Sequence, residues 1–174
     1  NQTMIFFSVI TFHLSGIIFV QSPLRILLVE DSALDADVLM RFLRYHDLDL
    51  SYERVETAPT LVAALQQKWD MIFCDYNIHT GFTGMDALTI IRQYEAENPP
   101  PSPELVLPVP VIMISSILNE NAVVAAMNAG ATDFIIKGYL DRLVPVMRRE
   151  IRYVSMIQEY HAKWIEAERQ ANSK

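Results

Sequence analysis

The chain has 174 residues, 51% of them hydrophobic and 20% charged, which is material for one well-packed domain and excludes a disordered chain. Its formal net charge of −7 lacks the basic footprint that direct nucleic-acid binding requires, so proteins and small ions are the expected partners. A single cysteine, Cys74, excludes an internal disulfide framework and a multi-cysteine metal site and fits a reducing, cytoplasmic setting.

Residues 4–20 form an uncharged, aromatic-rich apolar stretch that as a helix would span only about 25 Å. It carries no basic flank and is interrupted by Ser8, Thr11, His13, Ser15 and Gly16. Three readings remain: an appended or upstream-translated segment, which is favoured; the end of a membrane helix; or an apolar arm packed on this domain or a second copy. Membrane contact is expected nowhere else. Residues 1–22 are accordingly set apart from the domain that follows.

Ile26-Leu27-Leu28-Val29 is the first continuous apolar run, and it ends on the acidic pair Glu30-Asp31. Such a run reads as a strand buried on both faces. Ser32 or Asp31 can cap the next helix, in which Leu34, Val38, Leu39, Phe42 and Leu43 recur at helical spacing. Residues 51–56 alternate as a second strand, Pro59 suits an early helix position, and Leu61, Val62, Leu65 and Trp69 form another stripe. Met71-Ile72-Phe73-Cys74 is the third strand, and Asp75 closes it. Residues 77–84 read as a glycine-containing loop, and residues 85–96 as a helix.

The prolines from residue 99 to 110 exclude helix interior and central strand, leaving an extended surface loop. Residues 109–114 are a fourth strand ending on Ser115, and residues 119–129 a small-residue helix stopped by Gly130. Residues 132–136 are a fifth strand ending on Lys137, and from Tyr139 the chain reads as helix nearly to its end. Five alternating strand-helix units imply an α/β fold, a doubly wound parallel sheet with helices on both faces. In such a sheet the carboxyl ends of the strands border the ligand crevice, which draws Glu30, Asp31, Asp75, Ser115 and Lys137 together.

An acid at a strand end is usually only solvated, and a lone serine or lysine there is equally ordinary. Five together point to chemistry. Clustered carboxylates repel one another and favour a cation, and oxygen donors with room for water suit Mg2+ or Mn2+. Asp75 is the natural nucleophile toward phosphorus, Glu30 and Asp31 the metal acids, Lys137 the ammonium and Ser115 the hydroxyl for the transferring oxygens.

The segments RILLVED (residues 25–31), FCDYN (73–77), PVIMISS (110–116) and GATDFIIK (130–137), in this order and spacing, resemble the response-regulator receiver domain of two-component signalling over about residues 24–153. The resemblance implies the flavodoxin-like strand order 2-1-3-4-5, of which receiver domains are themselves a known example. It implies Asp75 as phospho-acceptor, Glu30, Asp31 and Asp75 as metal ligands with the backbone carbonyl of Asn77, Lys137 as phosphate-binding lysine, and Ser115 and Phe134 as switch residues. It further implies a sensor histidine kinase or phosphotransfer protein as partner, and no catalysis beyond self-directed phosphotransfer and autodephosphorylation. Three positions depart from the family pattern: His79 stands where proline is usual, one residue is added before Gly81, and Gly138 replaces the proline after the lysine.

Two competing readings stand beside this one. A degenerate receiver would act as a phosphorylation-independent docking or dimerisation module. A phosphatase of the haloacid-dehalogenase type would use a similar aspartyl nucleophile, but it needs an aspartate where this chain has Asn77, and it ranks last.

The C-terminal helix carries two stripes. Leu140, Leu143, Met147, Ile151 and Val154 should close the core, whereas Tyr153, Ile157, Tyr160, Trp164, Ala167 and Ala171 recur at alternating four and three. The receiver is thus expected over residues 23–153, and residues 154–174 as a helical extension. That extension reads as a coiled coil forming a homodimer, a linker to an output domain, or an isolated amphipathic tail.

Overall fold

Short runs of consecutive apolar residues bounded by turn-forming residues suit strands of a sheet covered on both faces, which buries every side chain of the run, and an alternating run suits a strand at the sheet's edge. The computed structural model, which describes residues 11–12, 18–19, 23–79, 81–99, 107–117 and 119–171, places five strands in one sheet. These are β1 (Leu24–Val29), β2 (Leu50–Val55), β3 (Met71–Asp75), β4 (Val111–Ser115) and β5 (Asp133–Ile136). All neighbouring pairs are parallel, and the order is β2-β1-β3-β4-β5, the expected 2-1-3-4-5. Every residue of the central strand β3 and of its neighbour β4 is buried.

Five helices cover the sheet: α1 (Ala33–Tyr45), α2 (Ala58–Ala64), α3 (Gly84–Glu97), α4 (Glu120–Asn128) and α5 (Leu143–Ala171). Side-chain caps set the first four. Ser32 Oγ accepts from Asp35 N, Thr57 and Thr83 form capping boxes with Thr60 and Asp86, and Asn119 accepts from Ala122 N. Gly130, at φ +96°, ends α4 in the left-handed region that β-carbons disfavour.

Alternation along the strands divides the core in two. Leu27, Val29, Ile72, Cys74, Met113 and Phe134 face the side covered by α2, α3 and α4. Ile26, Leu28, Phe73, Ile112, Ile114 and Ile135 face α1 and α5. Each fully buried Leu, Ile or Phe contributes about 1.5–3 kcal/mol of transfer free energy, so these two layers dominate the stability of the fold.

Some sequence expectations required correction. Leu34 and Val38 are exposed, and the face α1 buries is Ala36, Leu39, Met40 and Leu43; helical spacing alone could not choose between adjacent stripes. Val62 is likewise exposed while Leu61 and Leu65 are buried. Helix does not begin at Tyr139: Lys137–Arg142 forms a 3-10 turn in which Tyr139 is non-helical (φ −132°, ψ 47°), and α5 starts at Leu143. The apolar stretch at residues 4–20 lies largely outside the described residues, which include only an antiparallel pairing of Thr11–Phe12 with Ile18–Phe19. Much of the proline-rich loop also lies outside them. Among the described residues no helix is long and apolar enough to cross a membrane.

Candidate functional site

Sheet register brings the polar strand ends together. Val29 pairs with Cys74 and Asp75 with Ile114, so the residues that follow β1 and end β3 share one edge. Ser115 pairs with Ile136, which sets Lys137 one step beyond the sheet on the far side of β4. Two strand spacings, roughly 10 Å, separate β5 from β3. Lysine has a stem long enough to reach back, and it does.

The Lys137 ammonium donates to Asp75 Oδ2 at 2.8 Å, to Glu30 Oε2 at 3.0 Å and to Asp35 Oδ2. Asp75 and Glu30 are almost fully buried, whereas Asp35, in the first turn of α1, is partly exposed. One oxygen from each of Glu30, Asp35 and Asp75 lies within 4.8 Å of the others. Three carboxylates and one ammonium leave a formal charge of −2, which a divalent cation would cancel. The donor set is all oxygen, and hard cations such as Mg2+ or Mn2+ fit it.

Burial pushes the Glu30 carboxyl up to about 7, against the opposing pull of the Ser32 N–H and Lys137. Burial alone would lower the Lys137 ammonium, but its hydrogen bonds to Asp35, Asp75 and Glu30 outweigh that and raise it.

Asp31 stands apart from this cluster. Its Oδ2 accepts from the backbone N–H of His79 at 2.8 Å, and the His79 imidazole Nδ1 is 3.5 Å away. Despite partial desolvation, these contacts hold the Asp31 carboxyl below its ordinary range. Proline at position 79 would have no N–H to offer. The acidic loop is pinned from its other side by Arg54, whose Nη1 donates to the carbonyls of Glu30 at 2.8 Å and Asp31 at 3.2 Å.

Ser115 is buried and, among the described residues, its side chain connects to Asp75 through Asn77. The Asn77 N–H donates to Asp75 Oδ1 at 2.9 Å, and Asn77 Oδ1 lies 3.0 Å from Ser115 Oγ. The same hydroxyl reaches the Ile117 carbonyl at 3.0 Å and accepts from the Ile117 N–H. Alternation explains the separation: Asp75 falls with the α1 and α5 side of the sheet, and Ser115 with the side that holds Phe134. Phe134 is buried, its ring 5.7 Å from that of Tyr76, the residue next to Asp75.

Two residues at the site do not stand out in the sequence. Asp35 escapes notice because it follows the acidic pair by one helical turn and looks like an ordinary first-turn acid. Gly84 has a steric signature that only packing reveals: a Cβ there would lie 2.3 Å from the Asp75 carbonyl oxygen and 2.7 Å from Tyr76 Cα. The helix α3 thus starts in contact with the strand end that carries Asp75. Cys74, also there, is a buried thiol within 3.5 Å of the Gly84 carbonyl, and burial raises it far from the thiolate, as a packed core residue. Glu30, Asp35, Asp75 and Lys137 themselves line a pocket of about 160 Å³, whose apolar wall is Leu28, Val38, Leu39, Ile114 and Leu140.

The family model for the response regulator receiver domain matches residues 26–147. Similar solved structures include the signal receiver domain of a LuxO repressor protein from Vibrio parahaemolyticus, 23% identical, covering 79% of this chain and 97% of that one with a TM-score of 0.64. The receiver domain of NtrX from Brucella abortus is 26% identical, covering 73% of this chain and 98% of that one, with a TM-score of 0.59. The Saccharomyces cerevisiae receiver domain of Ssk1, solved with the histidine phosphotransfer protein Ypd1, is 23% identical over 71% of this chain and 85% of that one, with a TM-score of 0.58. No curated protein matches. A chain whose sheet order and matched span agree in this way belongs to the response regulator receiver family of two-component signalling, a family of signalling modules.

Proposed function

We propose that this receiver accepts a phosphoryl group on Asp75 from the phosphohistidine of a histidine kinase or phosphotransfer protein. The observation that carries the reading is Lys137 Nζ, 2.8 Å from Asp75 and 3.0 Å from Glu30 at the carboxyl edge of the sheet. An Asp75 carboxylate oxygen attacks phosphorus, the new P–O bond forms as the P–N bond breaks, and the departing imidazole nitrogen keeps the electron pair of the broken bond. Lys137 stays on the equatorial oxygens of the transferring group. Glu30, Asp31, Asp75 and the carbonyl of Asn77 would hold Mg2+ or Mn2+, with Asp35 adding a carboxylate within reach. Bound there, the ion supplies positive charge toward the phosphoryl oxygens.

Two of these roles need local rearrangement. Asp31 must share its carboxylate between His79 and the ion, and the Ser115 hydroxyl must exchange Asn77 or Ile117 for a phosphoryl oxygen. The second step moves a group on the Phe134 face of the sheet, and this is the route by which phosphorylation would reach Phe134, β5 and α5. The co-crystallised Ssk1 receiver and Ypd1 motivate the choice of donor. Catalysis is self-directed: transfer to Asp75 and its later hydrolysis.

Acetyl phosphate with Mg2+ should add one phosphoryl mass to the wild type and none to Asp75→Asn, read by intact mass spectrometry. Equal labelling of both proteins would overturn the assignment. The Asp31–His79 contact favours a second reading, a receiver that docks without phosphorylation. Under it, neither protein is labelled and intrinsic fluorescence ignores millimolar Mg2+.

A further inference from the structure

The helix α5 outlasts the domain it closes. Leu143, Val144, Val146 and Met147 bury against the sheet, and Ile151 packs beside them. Beyond that point Tyr153, Tyr160 and Trp164 remain 51%, 64% and 41% exposed. They fall on the stripe Tyr153, Ile157, Tyr160, Trp164, Ala167 and Ala171, spaced alternately four and three. In heptad terms Tyr153, Tyr160 and Ala167 are d positions, and Ile157, Trp164 and Ala171 are a positions. Traced upstream, the same register meets Glu150 and the buried Val146, so among the described residues the stripe is exposed only from Tyr153 onward.

We propose that a second copy of this chain docks along this stripe, parallel and in register. Flanking charge selects both the occupant and its direction. Lys163 occupies a g position and Glu168 an e position, five residues apart. In a parallel pair, g faces the e position five residues on in the other helix, so Lys163 meets the partner's Glu168, twice over by symmetry. An antiparallel pair sets g against g and e against e, and then no carboxylate stands opposite Lys163, because the other g residues are Met156 and Gln170. Lys163 now reaches Glu159 on its own helix, but its side chain is 74% exposed and can turn.

The three rings hold roughly 300 Å² of accessible surface per chain, taking about half of a full aromatic side chain for each. That is below the roughly 800 Å² per partner of a standard stable interface. The association is therefore concentration-dependent and not obligate. It places the two domains at the same end of the helix pair, each joined to its Lys137 by the 3-10 turn that leads into α5. None of this depends on phosphorylation, so it is tested on the unphosphorylated full chain and on Asp75→Asn alike.

Sedimentation velocity from low micromolar to several hundred micromolar protein should show wild type moving from monomer to dimer. Lys163→Glu and Glu168→Lys should each raise the dissociation constant about fivefold or more, and the double variant should restore it. Ala167→Cys should form an interchain disulfide under mild oxidant, since paired d positions of a parallel dimer lie within disulfide reach and the native Cys74 is buried. A wild type that stays monomeric throughout overturns the proposal. A dimer that neither swap weakens, or in which Ala167→Cys does not cross-link, overturns the parallel register.

Discussion

Replacing Lys137 with methionine keeps the length of the stem and removes the ammonium that bridges Glu30, Asp35 and Asp75. At an effective permittivity of about 20, an ammonium 2.8–3.0 Å from a carboxylate gains about 6 kcal/mol per contact, while two carboxylates 4.8 Å apart repel by about 3 kcal/mol. Gross attraction exceeds gross repulsion in the wild type, and only repulsion remains in Lys137→Met. The net loss is smaller than these figures, because Lys137 no longer has to be desolvated and Glu30 can take up a proton. Breaking a buried ion pair by removing one partner costs about 3–5 kcal/mol, and that is the expected loss at neutral pH in EDTA. Millimolar Mg2+ should return most of it by replacing the missing positive charge. Urea denaturation of wild type and Lys137→Met, with EDTA and with Mg2+, measures both quantities. A variant as stable as wild type in EDTA, or one that Mg2+ stabilises no more than wild type, would refute this account of the crevice.

Two further outcomes test the same region. Glu30 titrates near 7 in the fold against 4.5 as a free side chain, so the native state holds its proton more tightly than the unfolded chain does. The Glu30 contribution is therefore complete below about pH 4.5 and is lost as pH rises through about 7, an amount of about 3 kcal/mol. In EDTA, wild type should lose stability relative to Glu30→Gln across that interval; parallel curves would contradict the burial of an ionisable Glu30. Gly84→Ala drives a Cβ into the Asp75 carbonyl and should cost about 3 kcal/mol or more by denaturant midpoint, whereas Gly138→Ala meets nothing within 4 Å and should stay within about 0.5 kcal/mol of wild type. Equal midpoints for the two variants would show that α3 does not start in contact with Asp75.

The parallel sheet and most of the crevice were legible in the residue order. Buried strands in alternation with helices leave few arrangements, and a polar residue directly after a buried run must emerge at the sheet edge, which is why Glu30, Asp75 and Lys137 could be read as neighbours and do meet. Which side of each strand faces which helix layer emerged only from the folded chain. Period-two alternation separates Asp75 from Ser115, so the serine touches Asn77 and Ile117 rather than the acid. Folding also selected which carboxylates cluster. Asp31 and Asp35 are both acids near the start of α1, but the direction of the helix turns Asp35 toward Lys137, while the loop after β3 brings the His79 N–H onto Asp31. Such contacts join residues 48 and 102 positions apart, and no local pattern encodes them because neither partner has a propensity that depends on the other. The sequence specified the groups available to the site, and packing of α1, α3 and the 3-10 turn against one sheet edge specified which of them touch.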